Sequence, residues 1–241
     1  MAVDEGGSGR LVIAVDGKTV RGAKGKDGKA PHLVAALAHG IGAVLGQVAV
    51  DARSNEIPAV RELLKAFADL TGAVVTMDAL HAQHDTARAV LDRRADYVMT
   101  VKANTPTLYA QLKKLPWKNV PGFSHVAKDH GRRTRRTVTR RGRKTVDVVY
   151  VITSDADADA ATLAAWIQEH WHIENKLHWV RDVTYQEDRS LVRTGNAPRV
   201  MASLRSLAIS LLRLDGHANI AAANCHHACD PRRTLTLLQS A

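Results

Sequence analysis

Apolar residues gather first into three short runs: LVIAVDGKTV (11–20), PHLVAALAHG (31–40) and GAVLGQVAV (42–50), each bounded by glycine or turn residues. Runs of this length and composition predict β-strands. Between the first two lies GAKGKDGKA, where Asp27-Gly28 is a hairpin signal because both positions tolerate positive φ. Asp16-Gly17 carries the same signal, but a turn there would cut the first run short. With a better turn further on, Asp16 is expected inside the first strand.

SNEIPAVRELLKAFADL (54–70) opens with Ser54 as N-cap and repeats apolar residues at Ile57, Val60, Leu64 and Phe67, the spacing of a helix. GAVVTMDAL (72–80) is a short continuous apolar run, suited to a strand covered on both faces, and it too ends in an aspartate, Asp78. HDTARAVLDRRA (84–95) reads as a helix, DYVMTVK (96–102) as a strand and NTPTL (104–108) as a loop. A basic segment and TVDVVYVITS (145–154) follow as extra β-structure. From Asp159 the pattern is helical, with an apolar stripe at Leu163, Trp166, His170, Ile173, Leu177 and Val180, and an adjacent stripe of Ile167, Trp171, Glu174 and His178. APRVMASLRSLAISLLRL (197–214) is a last amphipathic helix.

The order is βββ-α-β-α-β, an insertion, then helices. Three antiparallel strands followed by strands alternating with helices imply an α/β fold, a mixed sheet with helices on both faces, in ribonuclease-H-like order. The expected organisation is a flexible leader at 1–10 and one domain over 11–241, with a basic β-rich insertion at about 105–158 ahead of the last catalytic helix. In such a sheet Asp16 and Asp78 lie side by side. Two buried like charges repel, and hard divalent cations such as Mg²⁺ relieve this by taking carboxylate oxygens. Two such ions ~3.5–4 Å apart can activate a nucleophile and stabilise the leaving oxygen of a phosphodiester. Glu174 is the candidate third acid. Composition alone favours reading Glu174 as an ordinary surface glutamate, and Asp182, Glu187 and Asp188 compete with it.

Charge narrows the partners. Lys+Arg number 34 against 24 Asp+Glu, a net +10, which favours polyanions. Nine of those cations and one acid lie between Lys128 and Lys144, in KDHGRRTRRTVTRRGRK. A solvated basic hairpin and a phosphate-contacting surface both fit the cluster, and its self-repulsion favours the latter. No apolar run approaches the ~20 residues that span a bilayer, and MAVDEGGSGR has no apolar signal core, so a cytoplasmic location and no membrane partner are expected. Cys225 and Cys229 cannot form a disulfide framework. CHHAC (225–229) offers zinc ligands, but neighbours on one helix cannot wrap a tetrahedron, so packing or surface roles are expected. His81 and His84 are expected to cap a helix or face DNA.

Five blocks in order, IAVDGKTVRG, RSNEIPAV, VVTMDALHAQ, ADYVMTVKAN and HWHIENKLHWVRDVTYQEDRS, resemble those of bacterial insertion-sequence DDE transposases, in the H-repeat-associated branch of the IS-four-like superfamily. The similarity runs on through NIAAANCHHACDPRRTLTLL. It implies that Asp16, Asp78 and Glu174 are the catalytic, metal-binding acids, serving two Mg²⁺ (or Mn²⁺) ions in phosphodiester hydrolysis and strand transfer. It also implies double-stranded DNA as partner, element ends and target, with a homodimer acting on it. Candidate DNA contacts are Lys18, Arg21, Lys102, Asn104, His178 and the cluster residues Arg132, Arg133, Arg135, Arg136, Arg140, Arg141 and Arg143. Thr105 stands where the family has glutamine, Thr134 where it has glutamate and Gln168 where arginine is common. The family also carries a region ahead of the first catalytic strand, so an N-terminally truncated copy is expected, with an idle DNA-binding remnant as the alternative to an active enzyme. A junction resolvase on the same fold is disfavoured by the HWHIEN block.

Overall fold

The computed structural model describes residues 9–25, 28–117, 135–140 and 143–239. Six strands build its principal sheet: β1 (Val12–Thr19), β2 (His32–Ala38), β3 (Val44–Ala49), β4 (Val74–Met77), β5 (Asp96–Val101) and β8 (Tyr150–Thr153). Their order across the sheet is β3-β2-β1-β4-β5-β8. The first three strands form an antiparallel meander, β4 and β5 run parallel to β1, and β8 returns antiparallel along β5. β6 (Arg135–Arg140) and β7 (Arg143–Val148) form a separate two-stranded ladder.

β1 is central because it can be buried on both sides. Ile13 and Val15 enter one apolar cluster with Val60, Leu63, Leu64 and Val90, supplied by α1 (Glu56–Ala66) and α2 (His84–Leu91). Val12 and Ala14 face the opposite layer, where Trp166 of α4 (Ala160–Glu169), Ile173, Leu177 and Ile209 of α6 (Ala197–Leu214) pack. Each fully buried aliphatic side chain contributes about 1.5–3 kcal/mol, so register is strongly fixed: a slip by one residue would exchange the two faces. Two further helices, α7 (Ile220–Ala228) and α8 (Pro231–Gln239), follow α6.

Three local expectations change. Asn55, not Ser54, caps α1, its side chain accepting from Ile57 N. NTPTL is not a loop throughout: α3 spans Pro106–Lys114 with the proline at its first turn, where the missing N–H removes no helical bond. The helical stretch after Asp159 is not continuous. It breaks after Glu169 and resumes as a π-helical segment, Ile173–His178, which runs into α5 (Trp179–Val183).

Candidate active site

Alternation along β1 sets the site. Asp16 and Lys18 continue the Val12–Ala14 face, whereas Gly17 continues the Ile13–Val15 face. The parallel β1–β4 register ends at Val15–Met77, and one residue beyond it each strand carries an aspartate, Asp16 and Asp78. Asp16 and Gly17 are thus strand residues. Asp78 opens a 3₁₀ turn, Ala79–His81, and accepts from Leu80 N at 2.9 Å. Asn104 Nδ2 donates to Ala79 O at 2.7 Å and ties that turn to the end of β5.

The π-helical segment brings the third acid. Ile173 and Leu177 are buried against Ala14, Ala35 and Leu37, which fixes the segment over the sheet. Its wider turn, closed by Trp179 N donating to Glu174 O, is a departure from α-geometry of the kind that re-aims side chains at functional sites. His178 Nδ1 lies 3.5 Å from Asp16 Oδ2 and 3.6 Å from Glu174 Oε2. Asp16, Asp78 and Glu174 line one cleft of about 170 Å³, together with Thr76, Thr100, Lys102, His170 and Trp171.

The cleft holds its acids in different states. Burial raises the Asp16 carboxyl to about 6 against the opposing pull of His178, and the nearby Glu174 and Glu56 charges add to the rise. Glu174 is half exposed, and its contact with His178 holds it below the ordinary glutamate range. Burial pushes His170 down to about 4, and its Nδ1 meets Thr76 Oγ1 at 2.9 Å. Asp16, Glu174 and His178 each present a donor atom within 4.8 Å of the other two.

Two of the three competing acids are otherwise engaged. Asp182 pairs with Lys18 at 2.6 Å. Glu187 is fully buried, bound by Arg181 at 2.8 Å and by Arg205 at 3.3 Å.

Several candidate DNA contacts sit elsewhere than expected. Lys18 is buried in its pair with Asp182, and His178 is buried between two acids, so neither offers a free polar end to a backbone phosphate. His81 is also buried rather than DNA-facing, while His84 is exposed. Arg21 and Lys102 are exposed. Arg135, Arg136 and Arg140 lie on β6 and Arg143 on β7, whereas Arg132, Arg133 and Arg141 lie outside the described residues.

A second cluster lies behind the first, unannounced by the sequence. His32 Nε2 meets Glu56 Oε1 at 2.6 Å, and His81 Nε2 lies 3.6 Å from Glu56 Oε2 and 3.9 Å from Asp78 Oδ1. The bond with His32, seconded by His81, lowers the Glu56 carboxyl to about 2. The one available hint is Glu56's place in the SNEIPAV block.

This sheet order, with one acid within the central strand β1, a second just past the end of its neighbour β4 and a third on a facing helix, defines a ribonuclease-H-like protein. The chain belongs to the Transposase DDE domain family, whose profile matches residues 7–211. It is 37% identical over 242 residues to "Putative transposase YncI" of Escherichia coli O157:H7, covering 84% of this chain and 62% of that protein. It is 32% identical over 244 residues to "H repeat-associated putative transposase YhhI" of Escherichia coli K12, covering 85% and 64%. The chain therefore spans under two thirds of the length of these relatives. Among the described residues, no helix is long and apolar enough to cross a membrane.

Proposed function

We propose that the Asp16–Asp78–Glu174 cleft is the catalytic centre of a DNA transposase that hydrolyses a phosphodiester at an element end and joins the freed 3′-hydroxyl to target DNA. The observation that carries this reading is the convergence of three carboxylates from β1, the end of β4 and the π-helical segment on one cleft. The family implies use of a divalent metal. The donor set fits such a cation: carboxylate oxygens suit Mg²⁺ or Mn²⁺, and a cation beside Asp16 and Glu174 offsets the cost of charging the desolvated Asp16. Asp16, Asp78 and Glu174 would hold two ions. When bound, such ions supply Lewis acidity to the phosphate and lower the pKa of water.

The chain's own groups do the positioning. Lys102, in the cleft lining, is placed to take charge from a phosphate oxygen. His178 orients the Asp16 and Glu174 carboxylates, and neutral His170 with Thr76 walls the cleft floor. The partner is double-stranded DNA, bound as a homodimer, with the arginine-rich stretch as an electrostatic track.

Cleavage of element-end DNA in Mg²⁺ or Mn²⁺ tests the reading. Parent chain should nick, and Asp16→Asn, Asp78→Asn and Glu174→Gln should each abolish nicking while DNA binding stays within about threefold. A parent that binds DNA but never cuts would reduce the chain to an idle remnant; equal cutting by the Asp16→Asn chain would remove the metal-ligand role.

A further inference from the structure

The turn after α6 and the end of α7 build a second cluster of metal-type donors, away from the cleft. α6 ends at Leu214, and Gly216 at φ +87° carries the chain round, a conformation that favours glycine at a helix C-terminus. His217 N then donates to Leu212 O at 2.9 Å, while Arg213 Nη1 donates to His217 O at 3.2 Å, so this turn is held from both sides. It sets His217 Nε2 3.2 Å from Asp215 Oδ2. His227, in the last turn of α7, comes in opposite, its ring 5.6 Å from that of His217.

Three features mark the cluster as more than neighbouring surface groups. Asp215, His217 and His227 each place a donor atom within 4.8 Å of the other two. Both ring nitrogens of His227 are buried and make no hydrogen bond, an expensive state for an imidazole that a ligand would relieve. Zinc–nitrogen and zinc–oxygen bonds of about 2.0–2.1 Å put tetrahedral ligand atoms about 3.3 Å apart, close to the Asp215–His217 separation already present.

We propose that Asp215, His217 and His227 form a site for a divalent transition ion, zinc-like in preference, that staples α7 to the end of α6. Imidazole nitrogens with one carboxylate select Zn²⁺, Co²⁺ or Ni²⁺ over Mg²⁺. A water completes the fourth position. The donor set crosses two elements, which removes the objection to a site drawn from CHHAC alone: of that segment only His227 takes part. His226 turns to Arg233, with Nδ1 3.2 Å from Nη1, and Cys225 lines a different groove beside Trp179.

The experiment uses tag-free full chain carrying Asp16→Asn, Asp78→Asn and Glu174→Gln, which removes the three carboxylate ligands of the cleft. Zinc titration by calorimetry and cobalt absorption should show about one equivalent bound, with Tm rising as zinc is added. His217→Ala, His227→Ala and the conservative Asp215→Asn should each lose binding by at least tenfold and lose the zinc-dependent Tm rise, whereas His84→Ala should keep both. Far-UV dichroism establishes that each variant is folded, and Asp215→Asn, at an exposed turn position, serves if the histidine variants are not. Absence of zinc binding at micromolar concentration, or binding unchanged in folded Asp215→Asn and His227→Ala chains, overturns the site.

Discussion

Glu56 closes directly on Gly17: a Cβ at that glycine would stand 2.5 Å from Glu56 Cδ and 2.6 Å from each carboxylate oxygen. The glycine after Asp16 therefore exists for close approach, not for a turn. Consecutive residues of one strand thus serve opposite faces, Asp16 toward Glu174 and Gly17 toward Glu56.

Gly17→Ala follows as the first prediction. A free glutamate end could swing away at little cost, but Glu56 is fixed by His32 and His81. The methyl must displace Glu56 from both histidines or push the strand, an overpacking cost of about 1–3 kcal/mol. Urea denaturation should show that loss in the parent and a much smaller one in a Glu56→Ala background. Equal losses in the two backgrounds would mean that the carboxylate is not the obstacle.

Acid sensitivity should trace to the same residue. The folded Glu56 carboxyl at about 2 lies below its ordinary 4.5, so its stabilisation is fully present above 4.5 and lost as pH falls toward 2. Glu56→Gln should cost on the order of 2 kcal/mol at pH 7 and almost nothing near pH 2. Stability profiles of the two chains that stay parallel over this range would refute the coupling.

Asp16 has the opposite sign. Its carboxyl is raised from 3.8 to about 6, so the native state favours the protonated form; that advantage is full below 3.8 and lost as pH rises through 6. Metal-free Asp16→Asn should be more stable than the parent at pH 8, by on the order of 1–2 kcal/mol or about 4 °C in Tm, with no gain at pH 4. A variant less stable than the parent at pH 8 would show that the charge is compensated within the fold.

Arg181 and Glu187 are both fully buried, and Gln47 takes a further bond from Arg181 at 3.2 Å. Arg181→Met should cost about 3–5 kcal/mol, because it strands a buried carboxylate with Arg205 as its remaining cation. Adding Glu187→Leu should restore much of that loss in the denaturation midpoint. A single variant that costs under ~1 kcal/mol would show that water reaches the pair.

For the arginine-rich stretch the readout is salt. Changing Arg132, Arg133, Arg135 and Arg136 to alanine should weaken DNA binding on every sequence. It should also flatten the slope of log Kd against log salt by about 0.9 for each backbone phosphate that the variant no longer neutralises. An unchanged slope with altered sequence preference would mean base reading instead.

The legible part of the fold is what alternation and chain order govern. Asp16 and Asp78 can be paired from the run order alone, since one lies within and the other at the end of a run that must be central. Spacing does not separate Glu174 from Asp182 or Glu187; the family blocks select it, and the structure shows why the others are engaged, one by Lys18 and one by Arg181. The Glu56–His32–His81 cluster is hidden from the sequence because it joins the start of β2, the start of α1 and the turn after β4, a meeting made only by tertiary packing. α3 is masked because Pro106 reads as a breaker, although at a first helical turn it starts a helix.

The sheet order also sets a sequence of events during synthesis. β1, β2 and β3 form a local meander that can pair as soon as it leaves the ribosome, whereas β1 must wait for β4 before its other edge is satisfied. The segment bearing Glu174 and His178 emerges later still, after β5 and β8 have closed the far edge. A nascent chain thus carries Asp16 on an unfinished edge, without its facing acid, until the segment at Ile173–His178 has been made. Asp16 thus meets Glu174 only once the π-helical segment packs its Ile173 and Leu177 over Ala14, Ala35 and Leu37.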